Sequence, residues 1–234
     1  MLRLYVPDPP SADGVVRIPR AEVRHLHALR LGPGDRLSVF DDAGREHEVV
    51  LDRVGTRDAV GYVVATSLAS RESPLELVLA PALLKHDRMD WVVEKATELG
   101  VVRIAPVVTR YTVARGDHAE RWRRIALAAA KQCGRTRIPA VDPPRPLADV
   151  VAERWPGLRL VAWEEERAAR FADLPDAARF VTMLVGPEGG LEGAEVDAAR
   201  AAGFTTVTLG RRVLRADTAA LVAMTLCQQR WGDG

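Results

Sequence analysis

The spacing of apolar residues along the chain changes character once, near residue 70. Before it, apolar and polar positions alternate over short runs at 2–6, 15–18, 36–40, 46–54 and 60–66. A period of two marks a strand with one buried face. Turn-forming clusters separate the runs, Gly32-Pro33-Gly34-Asp35 and Asp41-Asp42-Ala43-Gly44, the second between two strand-like segments as a hairpin requires. One short helix is predicted at 21–30, and several short strands at this spacing predict a small barrel.

Residues 66–74 are polar and aperiodic, and beyond them apolar runs alternate with amphipathic stretches. The runs at 75–80, 102–107, 158–163, 180–185 and 205–209 suit strands buried on both faces of a parallel sheet. Helices are predicted at 87–99, 118–134, 192–202 and 218–231. In the first of these, Met89, Val92, Val93, Ala96 and Leu99 fall at helical spacing, and Gly100 follows as a terminator. The order of elements argues an α/β fold with a mainly parallel sheet covered by helices. The expected division is a first domain at 1–70 and a second at 74–234, without internal repeats.

Composition narrows the class. A chain of 234 residues, 47% hydrophobic, can build one large or two modest cores. No apolar run approaches the roughly 20 residues that span a bilayer, and residues 1–10 lack the charged-then-apolar order of a signal peptide. A cytoplasmic location, with no membrane partner, is the expectation. Cys133 and Cys227 have no CxxC or Cys/His spacing and are expected to be buried free thiols. The histidines (25, 27, 47, 86 and 118) form no HExxH pattern, so no metal is expected.

A formal net charge of +1 argues against a protein that coats nucleic acid by bulk electrostatics. Its distribution says more. Of 33 Lys and Arg residues only Lys85, Lys95 and Lys131 are lysines. Arginine suits bidentate phosphate contact and base stacking, although genomic base composition produces the same excess. From Arg103 to Arg137 the only acids are Asp117 and Glu120, in a segment that includes Arg110 and the helix predicted at 118–134. On that helix Trp122, Ile125, Ala126, Ala129 and Cys133 form an apolar stripe, and Arg121, Arg124, Lys131 and Arg135 a cationic one. The scarcity of acids favours an anionic partner over a merely solvated face.

Two segments have the composition of ligand loops. Leu184-Val185-Gly186-Pro187-Glu188-Gly189-Gly190-Leu191 is an apolar strand, a glycine-rich turn with one acid, then a helix. Glycines at the carboxyl end of a parallel strand let backbone groups approach a ligand, and open α/β sheets place their crevices there. The spacing fits neither GxGxxG nor a P-loop, and a bare strand-to-helix turn is the alternative. The second segment, Thr208-Leu209-Gly210-Arg211-Arg212-Val213-Leu214-Arg215, leads from a strand into the last helix, for which Asp217 is the expected N-cap.

Taken together, several motifs in this order resemble the ribosomal RNA small subunit methyltransferase E family, a branch of the SPOUT (α/β-knot) superfamily. They are His25-Leu26-His27-Ala28-Leu29-Arg30-Leu31 with Gly34-Asp35, Lys95-Ala96-Thr97-Glu98-Leu99-Gly100-Val101, Gln132-Cys133-Gly134-Arg135, Gly186-Pro187-Glu188-Gly189-Gly190, and Leu209-Gly210 with Val213-Leu214-Arg215. The resemblance covers nearly the whole chain. It implies a PUA-like β-barrel at 1–70 that helps hold RNA, a trefoil-knotted domain at 74–234, and a homodimer. The implied activity is S-adenosylmethionine-dependent methylation of N3 of a uridine in 16S ribosomal RNA, with the small ribosomal subunit as partner.

Carried onto this chain, the resemblance puts Trp163, Glu164, Gly186, Pro187, Glu188, Gly189, Gly190, Leu209, Gly210, Val213, Leu214 and Arg215 around the cofactor. Arg215 and Arg135 are the candidates for catalysis, and Arg110, Arg121, Arg124, Lys131 and Arg135 for RNA contacts. The general base is not identified. The chain departs from the family in having Ala216-Asp217-Thr218-Ala219 where Thr-Glu-Thr-Ala is common, and Glu94 where Gln is frequent. Two other readings stay open: ribose 2′-O methylation, against which the absence of asparagine counts, and a non-catalytic RNA-binding protein of the ribosome.

Overall fold

A computed structural model describes residues 1–8, 10–41, 44–67, 71–85 and 87–234. The middle of the turn expected at 41–44, part of the polar stretch at 66–74, and His86 lie outside the described residues. The chain divides into two compact units, Met1–Glu72 with Ala130–Ile138, and Ser73–Ala129 with Pro139–Gly234.

In the first unit, alternating apolar residues build β1 (Arg3–Tyr5), β2 (Val15–Ile18), β3 (Arg36–Phe40), β4 (Glu46–Val54) and β5 (Ala59–Ser67), with α1 (Arg20–Ala28) between β2 and β3. The sheet order is β1-β3-β4-β5-β2. β1 runs parallel to β3, and the remaining pairs are antiparallel. Leu4, Ile18, Leu37, Val49 and Leu51 pack with Val23 and Leu26 of α1 in its core. The segment 130–138 joins this unit through side chains that neutralise one another. Lys131 pairs with Glu22, and Arg135 with Glu72.

The second unit holds β6 (Glu76–Pro81), α2 (Asp87–Glu98), β7 (Arg103–Ile104), β8 (Val107–Val108), α3 (Ala119–Cys133, whose last turn belongs to the first unit), β9 (Ala140–Val141) and β10 (Arg145–Pro146). It continues with α4 (Leu147–Ala152), β11 (Leu158–Ala162), β12 (Phe180–Val185), α5 (Gly193–Ala201), β13 (Thr205–Val207) and α6 (Ala216–Trp231). Six strands form a parallel sheet in the order β13-β11-β12-β6-β7-β9. The apolar runs of β6, β11 and β12 occupy its middle, as strands covered on both faces require. The strand expected at 102–107 is two: β7 pairs with β6 and β8 with β10, because Pro106 between them has no N–H to continue a ladder.

The helix α6 buries Ala220, Ala223, Met224, Cys227 and Trp231 within this unit. Its Gln228 accepts from the Ser73 hydroxyl (2.7 Å) and donates to the Leu99 carbonyl (2.6 Å). Burial pushes the Cys227 thiol up to about 12, so it stays protonated. Cys133 is half-buried rather than buried. Among the described residues, no helix is long and apolar enough to cross a membrane and no group of His, Cys, Asp or Glu could hold a metal.

Candidate active site

Three loops meet at the carboxyl ends of the adjacent parallel strands β11, β12 and β13. They enclose a cavity of about 80 Å³, lined by Trp163 and Glu164, by Gly186, Pro187, Glu188 and Gly190, and by Leu209, Gly210, Val213 and Leu214. The structure therefore brings together most of the residues expected around a cofactor. The sequence reading missed Ala162, Val185, Thr208, Arg212, Ala216 and Ala219, which complete the lining. The small residues among them carry no chemical signature; they matter by taking up little room.

The glycine-rich turn is shaped by what its side chains would strike. Gly190 has φ +77, so its backbone favours glycine, and a Cβ there would push aside the Glu164 carboxylate. Its N–H bonds the Pro187 carbonyl (3.0 Å), closing the turn. Gly189, expected at the same site, instead lines a neighbouring cavity with Tyr111.

The wall after β11 is held by a polar cluster. Glu166 accepts the N–H groups of Ala168 (2.9 Å) and Ala169 (3.2 Å) and the Thr206 hydroxyl (2.7 Å). Those donors, the Ala168 N–H foremost, depress the Glu166 carboxyl to about 2. Arg200 donates to Thr206 (3.1 Å) and lays its guanidinium 4.9 Å from the Trp163 ring centroid, fixing the indole that lines the cavity. The turn after β12 is tied at its far end by Glu195. One oxygen accepts the Glu192 N–H at the start of α5 (3.0 Å), and the other the Arg110 N–H (2.8 Å).

The last loop differs from expectation at the helix start. Asp217 is not the N-cap; Arg215 is, with extended backbone, and its carbonyl accepts the Ala219 N–H (2.7 Å). Asp217 lies in the first turn, where a carboxylate meets the positive helix end, and it bonds the Thr218 N–H (2.9 Å). Arg215 itself is exposed and does not line the cavity, whereas Arg212 does.

The cationic stripe needs correction. Arg135 is only 2% exposed, and its Nε and Nη2 both reach Glu72 (2.9 and 2.7 Å). A guanidinium so placed has no face for RNA or for a reacting base. Lys131 is paired with Glu22, and Arg121 with Asp90. The segment looked unopposed only because its acids lie elsewhere in the sequence. Arg124 donates to the Glu120 carbonyl, and Arg110 is exposed.

Comparison with known proteins agrees with this geometry. Residues 71–228 match the RNA methyltransferase domain family. The ribosomal RNA small subunit methyltransferase E of Mycobacterium bovis is 33% identical over 233 residues, covering 94% of this chain and 88% of that protein. The chain belongs to the ribosomal RNA small subunit methyltransferase E family. The member from Neisseria gonorrhoeae, solved bound to S-adenosyl methionine, superposes with a TM-score of 0.91 at 33% identity, covering 100% of this chain and 99% of the other. A Legionella pneumophila protein solved with bound SAM gives the same TM-score at 29% identity, over 100% and 99% of the two chains. The family thus joins the α/β fold of the second unit to a group of enzymes, and the glycine-rich turn lies inside the matched segment.

Proposed function

We propose that the chain transfers a methyl group from S-adenosylmethionine to N3 of a uridine in 16S ribosomal RNA. The observation that carries the reading is the convergence of the loops after β11, β12 and β13 on one cavity at the carboxyl edge of a parallel sheet, in a member of a family of ribosomal RNA methyltransferases. The donor set fits the cofactor: an indole wall, a glycine cradle that a Cβ would fill, and backbone groups bared by Gly186, Gly190 and Gly210. When bound, S-adenosylmethionine supplies an activated methyl group.

The chain's own residues orient and enclose. Trp163, braced by Arg200, presents an apolar face, while Leu209 and Leu214 exclude water. Uracil N3 carries a proton at neutral pH that must be given up as N3 takes the methyl group, so the negative charge that its departure leaves on the flanking carbonyl oxygens must be stabilised. Arg215, exposed beside Leu214, is the side chain assigned to that contact. The same reading includes the trefoil knot formed by the loops around the cavity, a PUA-like role in RNA holding for the first unit, a homodimer, and a cytoplasmic protein acting on the small ribosomal subunit.

Small-subunit RNA from a strain lacking the gene, incubated with the protein and S-adenosylmethionine, should gain N3-methyluridine by nucleoside mass spectrometry. A 2′-O-methylated nucleoside would replace the assigned position, and no methylation at all would end the enzyme reading.

A further inference from the structure

Beside the cofactor cavity, and sharing Glu188 with it, lies a second cavity of about 870 Å³ within the same unit. Its wall is the loop after β8, which displays Tyr111 with 47% of its surface exposed. That exposure is built. The Thr109 N–H donates to the Thr112 hydroxyl oxygen (2.9 Å), the two threonine hydroxyls bond each other (2.9 Å), and the Arg110 N–H is held by Glu195. These bonds hold the backbone on either side of Tyr111, whose ring is left exposed.

Gly189 faces this ring. A Cβ at Gly189 would come within 2.9 Å of the Tyr111 Cβ, yet the φ of Gly189 lies outside the left-handed region, so its backbone does not require glycine. The missing side chain makes room for Tyr111. Around the ring stand Lys85, Arg88 and Arg110, against the carboxylates of Asp87 and Glu188. Arg88 reaches Glu188 only through an exposed contact of 3.4 Å, which an incoming phosphate can displace.

We propose that Tyr111 is a stacking surface for the base of an RNA nucleotide held next to the cofactor, with Lys85, Arg88 and Arg110 taking its phosphates. The proposal rests on the methyltransferase reading above. A methyl acceptor on the pairing edge of a base must be unpaired to react, and an unpaired base is held by an aromatic face and cations at its backbone. Tyr111 supplies the face and the rim supplies the charge, one wall away from the donor.

The test compares Tyr111→Ala, Tyr111→Phe and Gly189→Ala with the wild-type protein. Cofactor affinity is measured by calorimetry, oligomeric state by sedimentation, and RNA affinity and single-turnover methylation on unmethylated small-subunit RNA. Tyr111→Ala should lower RNA affinity and methylation together by roughly 5- to 150-fold, the range for losing one base–aromatic stack. Tyr111→Phe, which keeps the ring face, should stay close to wild type, and Gly189→Ala should fall in the direction of Tyr111→Ala. Cofactor affinity should hold in all three.

Wild-type methylation by Tyr111→Ala overturns the proposal, as does equal loss in Tyr111→Phe or a parallel loss of cofactor affinity. A change in sedimentation with Tyr111→Ala would assign the ring to a contact between copies instead. A wild-type protein that binds the cofactor but methylates no small-subunit RNA sinks the underlying reading, and this proposal with it.

Discussion

Glu72 holds Arg135 and the chain that follows it with both of its oxygens: one accepts Nε and Nη2 of the guanidinium, the other the N–H groups of Thr136 and Arg137. Arg135 is buried and Glu72 is half-buried. Removing either partner leaves the other's charge largely out of water, a loss of up to about 3–5 kcal/mol. Glu72→Gln and Arg135→Ala should each lower stability on that scale in urea unfolding followed by circular dichroism. The cofactor affinity of whatever folded protein remains should be that of the wild type. A stable Arg135→Ala protein with normal RNA affinity but no turnover would restore Arg135 to the chemistry.

Gly190→Ala should lower stability by about 1–2 kcal/mol, the cost of a left-handed alanine, and should weaken S-adenosylmethionine binding because its Cβ displaces the Glu164 carboxylate that lines the cavity. Gly189→Ala, one residue away, should leave that binding intact because its neighbour is Tyr111. Titration calorimetry on the two variants separates the cavities, and equal losses would merge them.

The Glu166 carboxyl is lowered in the folded state, so the stability it lends is present at neutral pH. That contribution is lost as pH falls from the ordinary carboxylate range, near 4.5, through about 2. Glu166→Gln keeps the shape and removes the charge. Its melting temperature should be lower than wild type at pH 7, by roughly 4–8 °C for a loss near 2 kcal/mol. The gap should narrow on acidification toward pH 2.5 and close only below about pH 2. A gap that is constant with pH would mean that packing, not ionisation, holds the loop.

Among the cations, Arg110 should count for RNA more than Arg121. Replacing Arg110 with glutamine should make the logarithmic salt dependence of RNA affinity shallower by about 0.7–0.9, the value for one phosphate contact. Arg121→Gln should change the slope less, because that guanidinium, though exposed, is partly neutralised by Asp90. A reversal of the two results would put the RNA on α3.

Much of this was legible in the chain. The runs at 36–40, 46–54 and 180–185 coincide with β3, β4 and β12, because alternation or unbroken apolarity leaves a strand no competing arrangement. The loops proposed to hold the cofactor were legible for a related reason: glycines clustered after an apolar strand mark a backbone that can be approached closely. What escaped was whatever depends on distant partners. The six residues of α4 are too few to show a helical period. The cationic stripe looked unopposed because its acids lie 31, 109 and 63 residues from Arg121, Lys131 and Arg135. Ala162, Ala216 and Ala219 have no side-chain chemistry to mark them in the sequence, and they line the cavity only once the loops fold over them.

The strand order of the second unit also has a bearing on synthesis. The centre of its sheet joins residue 76 to residue 180, and β11 lies between β12 and β13. The first unit, for its part, takes in residues 130–138. A nascent chain that has emerged as far as residue 129 therefore lacks a part of both units, and β6 waits unpaired on one edge until β12 leaves the ribosome. Closing such long loops is slow, and open apolar edges invite association in the meantime. Translation rate and chaperone access over the last quarter of the message should therefore govern how much of this protein reaches its native state.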